Sequence, residues 1–371
     1  MLRTFQYRLS LTTRQAKKLA ATLGLLNDLY NAALQERQEA WKRERKSISY
    51  YDQTKELTEL RAEHPQYAEY GREILREPLQ RVHKAFQGFF RRIKSGQAPG
   101  YPRYRSRDRY NSFAVSEFRM EGNRLILPKL GGFRMRLHRA LRGSPQRACI
   151  IRRGKRWRCS ITCEVGLAPQ KKAVSSAIGI DVGLSQFVTL SDGQVIENPR
   201  WLRRSEEEIA RANRKLATKK RRSNNRRRAR EALRVAHERV ANRRRNFCHH
   251  ISKWLVGNYD LIAFEKLKIV PMVKGRLAKS IMDAAWGMLL GQIAYKAADA
   301  GRWAVPVNPK GTTQNCSGCG DTVRKTLSQR SHSCPHCGLL LGRDENAACN
   351  VLALGRSAVG LVSPPGSARR F

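Results

Sequence analysis

The sequence predicts an α+β protein of several domains, and three observations carry that prediction. Apolar residues recur at helical spacing over residues 11–95. They alternate at period two over 113–170. Two Cys-x-x-Cys pairs stand close together near the C-terminus. The 371 residues are 41% hydrophobic, enough for two or three packed cores.

Residues 3–10 read as a short strand. Thr12 with Gln15 forms a capping-box pattern that opens a helix. Ala16, Leu19, Leu23, Leu26, Tyr30 and Ala33 give that helix one apolar face. A second helical stretch ends near Ile93, with Val82, Phe86, Phe89 and Phe90 as its expected buried side. Gly and Pro then break regular structure over 95–112. In this loop Tyr101, Tyr104 and Tyr110 alternate with Arg103, Arg105, Arg107 and Arg109. Rings can stack on bases while guanidinium groups hold phosphates, although an ordinary solvated loop would look the same.

Trp157, Cys159, Ile161, Cys163 and Val165 alternate with polar residues, as do Phe133, Met135 and Leu137. Gly122-Asn123 and Gly131-Gly132 supply turns. Several short antiparallel strands suggest a small barrel, which the N-terminal strand could join. Near residue 175 the character changes. Ile178, Ile180 and Val182 start a buried strand, and Phe187–Leu190 reads as its hairpin partner. Residues 201–255 are basic and helical, with a break expected at Arg222-Ser223-Asn224-Asn225. A charge run is usually a solvated face or a disordered arm. Leu216, Leu233, Val240, Phe247, Ile251 and Leu255 argue for helix here. Strands are expected at 260–264 and 304–307, helices at 283–300 and 345–354, and a disordered tail from 357.

Lys plus Arg number 73 and Asp plus Glu 30, a net charge of +43. Such a chain repels itself unless a polyanion covers it, and each neutralised phosphate releases a counterion. The spread of charge and aromatic residues points to nucleic acid over a membrane surface, since there is no basic amphipathic anchor. The opening residues MLRTFQYRLS lack the apolar region of a signal peptide, and no run suits a membrane span. Nine cysteines, four of them in two pairs, predict a reducing, cytoplasmic setting and a metal site rather than a disulfide framework.

Cys316 and Cys319, then Cys334 and Cys337, match a zinc-ribbon spacing. Four thiolates satisfy tetrahedral Zn²⁺ completely, so such a site is closed and structural. His332 and His336 are alternative ligands that the set does not need. The remaining cysteines, Cys149, Cys159, Cys163, Cys248 and Cys349, read as core residues.

Three acids stand where chemistry could use them. Asp181 lies in the apolar run IGIDVGL, where a carboxylate is costly unless a cation or hydrogen bonds compensate. Its flanking glycines leave room for a backbone or phosphate to approach. Glu265 ends the apolar run LIAFE, and Asp344 begins RDENAACN. Oxygen-rich clusters of this kind hold Mg²⁺ or Mn²⁺. Each acid alone could equally be a surface carboxylate or an N-cap, Asp344 most readily.

The order GIDVGLSQFVTLSDGQVIENPR, IAFEKLKIVPMVKG with LAKSIMDAAW, GTTQNCSGCG, CPHCG and RDENAACNVL resembles the TnpB family. So do FQYRLSLTTRQAKKL, LYNAAL and PGYPRYRSRDRYNSF near the N-terminus. That family comprises RNA-guided nucleases of insertion sequences, similar to the ancestor of compact type V CRISPR nucleases. The resemblance implies a wedge β-barrel over 1–10 and 96–172 and a helical recognition unit over 11–95. It implies a RuvC-type, RNase H-like nuclease over 173–310 and 341–356, interrupted by a zinc ribbon over 311–340. It further implies catalysis by Asp181, Glu265 and Asp344 holding Mg²⁺ or Mn²⁺, with a guide RNA from the protein's own element and duplex DNA as partners. Tyr101, Arg103, Tyr104, Arg105, Arg324 and Arg330 are the candidate nucleic-acid contacts. The family often carries an acid two positions before the last catalytic Asp, where this chain has Gly342. The rival readings are a nuclease-inactive RNA-guided repressor and a DNA-joining transposase.

Overall fold

The chain parts between Leu167 and Ala168 into two units, in a computed structural model that describes residues 1–167, 169–326 and 328–361. This break falls a few residues before the expected boundary at 172.

In the first unit, β1 (Leu2–Ser10) runs into four helices, α1 (Thr13–Glu44), α2 (Tyr50–Glu63), α3 (Pro65–Ala68) and α4 (Arg72–Lys94). The capping box at Thr12 and Gln15 is formed and sets the start of α1. Six strands follow: β2 (Ser112–Val115), β3 (Arg119–Glu121), β4 (Arg124–Leu127), β5 (Gly131–Arg136), β6 (Ser144–Arg153) and β7 (Arg156–Glu164). With β1 they make one antiparallel sheet, order β2-β6-β7-β1-β5-β4-β3. The N-terminal strand therefore joins the later ones, at the centre. The edge strands β2 and β3 are not paired with each other among the described residues, so by hydrogen bonding the expected barrel is an open sheet. Trp157, Cys159, Ile161 and Cys163 line its buried face, and the helices share that core through Leu19, Leu26, Leu75 and Val82.

Two expectations fail here. Val82 is buried and Phe86 packs half-buried against this core, but Phe89 is only half-buried and Phe90 is 60% exposed. Tyr110 is 1% exposed, donates to Glu77 Oε2 at 2.9 Å and lies under the Arg81 guanidinium. It is a core residue and cannot stack on a base.

The second unit is a five-stranded mixed sheet: β8 (Ala177–Val182), β9 (Gln186–Leu190), β10 (Val195–Glu197), β11 (Leu261–Glu265) and β12 (Trp303–Val307). The order is β10-β9-β8-β11-β12; β8 to β10 form an antiparallel meander, and β11 runs parallel to both β8 and β12. Between β10 and β11 lie α5 (Trp201–Arg204), α6 (Glu206–Ala217) and α7 (Asn224–Asn258), with the break before Asn224 as expected. Ser223 caps α7, and the half-buried Arg226 guanidinium reaches back to Leu216 O and Lys219 O behind α6. After β11 come α8 (Ile269–Met272), α9 (Ala278–Ala284) and α10 (Trp286–Asp299). The hairpin β13 (Ser331–Ser333) and β14 (Leu340–Gly342) leads into α11 (Arg343–Ala358).

Period two in β11 divides the unit. Ile262 and Phe264 pack with α7 and α10, while Leu261 and Ala263 pack with Val351 of α11. The helix α11 lies very close to the sheet. A Cβ at Gly179 would stand 2.0 Å from Ala348 O, and one at Gly355 2.3 Å from Ala263 Cβ. Gly179 thus admits a helix, and Gly183 forms the turn against Gln186 O. At both glycines it is backbone, not a phosphate, that makes the close approach, the first of the two alternatives expected. Residues 357 and 358 are helical, not tail, and residues 362–371 lie outside the described set.

Candidate active site, metal centre and nucleic-acid surfaces

The parallel pairing of β8 and β11 matches Phe264 to Ile180. The next step along each strand is Glu265 and Asp181, so both acids leave the sheet at the same end. Asp344 is the second residue of α11, which packs on both strands. Its N-cap is Gly342, so Asp344 is not the cap. Asp181 feels the charges of the other two. The carboxyl of Asp181 is pushed up to about 7, first by burial, then by the negative charges of Glu265 and Asp344. The Val182 N–H and the Arg343 guanidinium oppose that shift. Burial also raises the Glu265 carboxyl, against a hydrogen bond from Thr312. Arg343 Nε donates to Asp344 Oδ1 at 3.0 Å. Three acids at one corner would suit a hard divalent cation, which would relieve the repulsion that raises Asp181, although among the described residues their oxygens do not form a group within 4.8 Å of one another.

A loop missed by sequence reasoning organises this corner. Thr312, 2% exposed, donates from Oγ1 to Glu265 Oε1 at 2.7 Å. Its own carbonyl accepts from Asn350 Nδ2 at 2.8 Å. Asn315 O accepts from Asn346 Nδ2 at 2.8 Å and from Asn350 Nδ2 at 2.7 Å. The Ser317 N–H donates to Asn346 Oδ1 at 2.9 Å. The signal was present in the asparagines of RDENAACN, spaced four apart on one helix face.

The four paired cysteines do converge. The sulfurs of Cys316, Cys319, Cys334 and Cys337 all lie within 4.8 Å of one another, the one such group of ligand atoms among the described residues. The Gly320 N–H bonds Cys316 O at 2.9 Å and the Gly338 N–H bonds Cys334 O at 3.0 Å. Both glycines hold positive φ, 86° and 73°, which each tight turn requires. Four thiols aimed at one point, without disulfides, form a closed site for a soft-ligand metal. His332 is buried on β13, while His336 is exposed; neither belongs to the cluster.

The nucleic-acid candidates divide. Tyr101 and Tyr104 are 46% and 53% exposed, and Arg103 is exposed. Arg105 is half-buried over the Tyr30 ring, its backbone clamped by Asn31, so it is held by the fold. Arg324 and Arg330 are exposed, and Arg330 O accepts from the Arg343 N–H at 2.8 Å. A surface that the sequence did not announce lies across the first unit's sheet. There Arg8, Arg124, Arg134, Arg136, Lys155 and Arg156 line a cleft of about 650 Å³ with no acidic residue on its walls. Arg8 faces Arg136 and Arg124 faces Arg134 across the ladder, pairings that repel unless an anion intervenes.

Several known proteins resemble this chain. Residues 160–276 match a family described as "Probable transposase" and 286–351 one described as "Cas12f1-like, TNB domain". Residues 1–46 match a "Helix-turn-helix domain", although that segment holds one strand and one long helix. A Streptomyces pristinaespiralis protein named "Putative RNA-guided DNA endonuclease" is 35% identical over 96% of this chain and 90% of its own. The Escherichia coli K12 protein "Putative RNA-guided DNA endonuclease InsQ" is 28% identical over 96% of this chain and 93% of its own. The solved mini-RNA-guided endonuclease CRISPR-Cas phi3 superposes with a TM-score of 0.51 at 9% identity. It covers 99% of this chain and 93% of that one, a likeness of fold.

Proposed function

The chain belongs to the TnpB family, and from that membership we propose that it is an RNA-guided endonuclease for double-stranded DNA. Base pairing with a guide RNA from its own element would select the target beside a short adjacent motif. One observation carries the cleavage reading: Asp181 and Glu265 stand side by side near the same end of adjacent parallel strands, and Asp344 lies in the first turn of the helix packed on both. The strand order β10-β9-β8-β11-β12 supports a RuvC-type, RNase H-like nuclease for this unit. The antiparallel sheet and helices of the first unit support its wedge and recognition parts, and the cysteine turns support a structural Zn²⁺ ribbon.

Asp181, Glu265 and Asp344 would hold Mg²⁺ or Mn²⁺. When bound, such ions activate the attacking water and stabilise charge at the scissile phosphodiester. The protein's own part is preorganisation. The sheet fixes two carboxylates in one register, and α11, seated through Gly179 and Gly355, brings the third. Arg343 orients Asp344 and offers positive charge beside the site. The cationic cleft would hold nucleic-acid phosphates, and the exposed rings of Tyr101 and Tyr104 would stack on bases. The unpaired cysteine thiols fit the reducing prokaryotic cytoplasm as the site of action.

The defining experiment is plasmid cleavage with two guides and two targets, crossed, in Mg²⁺. Cutting should follow the guide, and mismatches near the adjacent motif should hurt most. Cutting that ignores the guide would leave a plain metal-dependent nuclease. Joined products with a donor element would indicate a transposase, and guided binding without cutting a repressor.

A further inference from the structure

We infer that Thr312 is a positioning residue for Glu265, and that the loop carrying it is held in register by Asn346 and Asn350 of α11. The inference rests on the reading of Asp181, Glu265 and Asp344 as the nuclease site. Glu265 is the last residue of β11, and its pairing with Val307 of β12 fixes the backbone but leaves the direction of the carboxylate open. Thr312 supplies what the strand cannot: a buried hydroxyl 2.7 Å from Oε1. The same hydroxyl lies 2.9 Å from Pro309 O, so its single proton is shared between a carbonyl and the carboxylate. Negative charge on Glu265 makes the carboxylate the stronger acceptor.

The loop could reach this point in many ways, and four hydrogen bonds select one. Asn350 Nδ2 holds the carbonyls of Thr312 and Asn315, and the Asn346 amide holds Asn315 O and the Ser317 N–H. Asn346 is fully buried, so its polar atoms find these partners rather than water. Gly311, at φ 83°, turns the chain into the loop. The loop runs directly into Cys316. One helix therefore carries Asp344 and also grips the segment that aims Glu265 and leads into the cysteine cluster. Groups that orient metal-binding side chains typically alter affinity or activity by about 10–100-fold when removed.

The test uses the guide-RNA complex of the full chain with Thr312→Val, which keeps the shape and deletes the hydroxyl, and Thr312→Ser, which keeps the hydroxyl. Glu265→Ala is the control. Thr312→Val should cut about 10–100-fold more slowly in a single turnover at saturating target. Target affinity should stay within about twofold, and Thr312→Ser should restore most of the rate. A second readout needs no DNA cleavage: Fe²⁺ in place of Mg²⁺, with ascorbate and peroxide, should cut the polypeptide beside residues 181 and 265. That scission should weaken severalfold in Thr312→Val and persist in Thr312→Ser. If Thr312→Val does not fold, Thr312→Ala carries the same expectations. Wild-type cutting and scission in the hydroxyl-less variants, with Glu265→Ala inactive, would overturn the role of Thr312 alone. An active Glu265→Ala would instead overturn the nuclease-site reading beneath it. A Thr312→Ser variant as slow as Thr312→Val would make the residue a packing element.

Discussion

Glu265 stands one residue beyond Phe264, which faces Ile180, and Asp181 stands one residue beyond Ile180 in the parallel strand alongside. Two acids in the same register at the same sheet end are stiffly held by backbone hydrogen bonds. Their mutual repulsion would then be relieved by a bound cation rather than by movement. Asp181→Ala, Glu265→Ala and Asp344→Ala should each abolish cleavage, with a loss of at least about 10³-fold, because such groups act as a unit. RNA binding should be unchanged, since the basic surfaces are untouched. Cleavage near the wild-type rate in one variant would remove that residue from the set.

Asp181 also makes stability depend on pH. Its folded-state carboxyl titrates at about 7 against an ordinary 3.8, so the folded chain holds this proton where the unfolded chain has lost it. Its stabilising contribution is full below about pH 4 and declines as pH rises to about 7. Asp181→Asn removes the ionisation. Without divalent ions, the variant should match wild type at low pH and exceed it above pH 7 by up to about 4 kcal/mol. Mg²⁺ should then stabilise wild type and not the variant. Denaturant melts across pH, with and without Mg²⁺, measure this. Equal stabilities at pH 8 without divalent ions would show that Asp181 is not under electrostatic stress.

Periodicity made most of the second unit legible. The strands at 178–182, 187–190, 260–264 and 304–307, and the break before Asn224, stand where apolar alternation and Ser223 put them. Cysteine spacing was equally direct, because two tight turns leave four thiols little else to do. What stayed hidden depends on contacts distant in sequence. Nothing local in Tyr110 distinguishes it from Tyr104, yet Glu77 and Arg81 draw one inside and leave the other 53% exposed. Gly179 read as room for a backbone or a phosphate beside an acid, and only the fold shows that the backbone of α11 takes it. The basic residues of the cleft come from β1, β4, β5, the β6–β7 turn and the start of β7, so only the ladder brings them together.

Cys316→Ser or Cys334→Ser should lose bound zinc and most cleavage. Binding free energy is folding energy for so small a hairpin, which leads directly into Arg343 and Asp344. Elemental analysis of the wild-type protein should give one zinc per chain. A zinc-free wild-type protein with full activity would contradict the ribbon reading.

The basic arm before and within α7 offers a separate test. Arg221, Arg222, Arg227, Arg228 and Arg230 are exposed, whereas Arg226 is committed to α6. Replacing Arg221, Arg227 and Arg228 with Gln should flatten the salt dependence of RNA or target binding, by about 0.7–0.9 for each phosphate no longer neutralised. An unchanged slope for both ligands would make this stretch a solvated face.

The cleft in the first unit predicts opposite effects on stability and on binding. Arg8 and Arg136 face each other across the antiparallel ladder, inside a cleft whose walls carry no acid. In the free protein these like charges repel, which disfavours the sheet. A phosphate between them converts the repulsion into two charge-assisted hydrogen bonds. Replacing both residues with Gln should therefore raise the melting temperature of the RNA-free protein at low salt. The same change should weaken guide-RNA binding and reduce its log–log salt slope by about 0.7–0.9 for each phosphate that the pair neutralises. High salt should erase the stability gain, because screening removes the repulsion that the substitution relieves. Thermal melts at two salt concentrations and an RNA titration at several give both halves. A variant that melts higher but binds RNA with wild-type affinity and slope would leave the cleft without a nucleic-acid role.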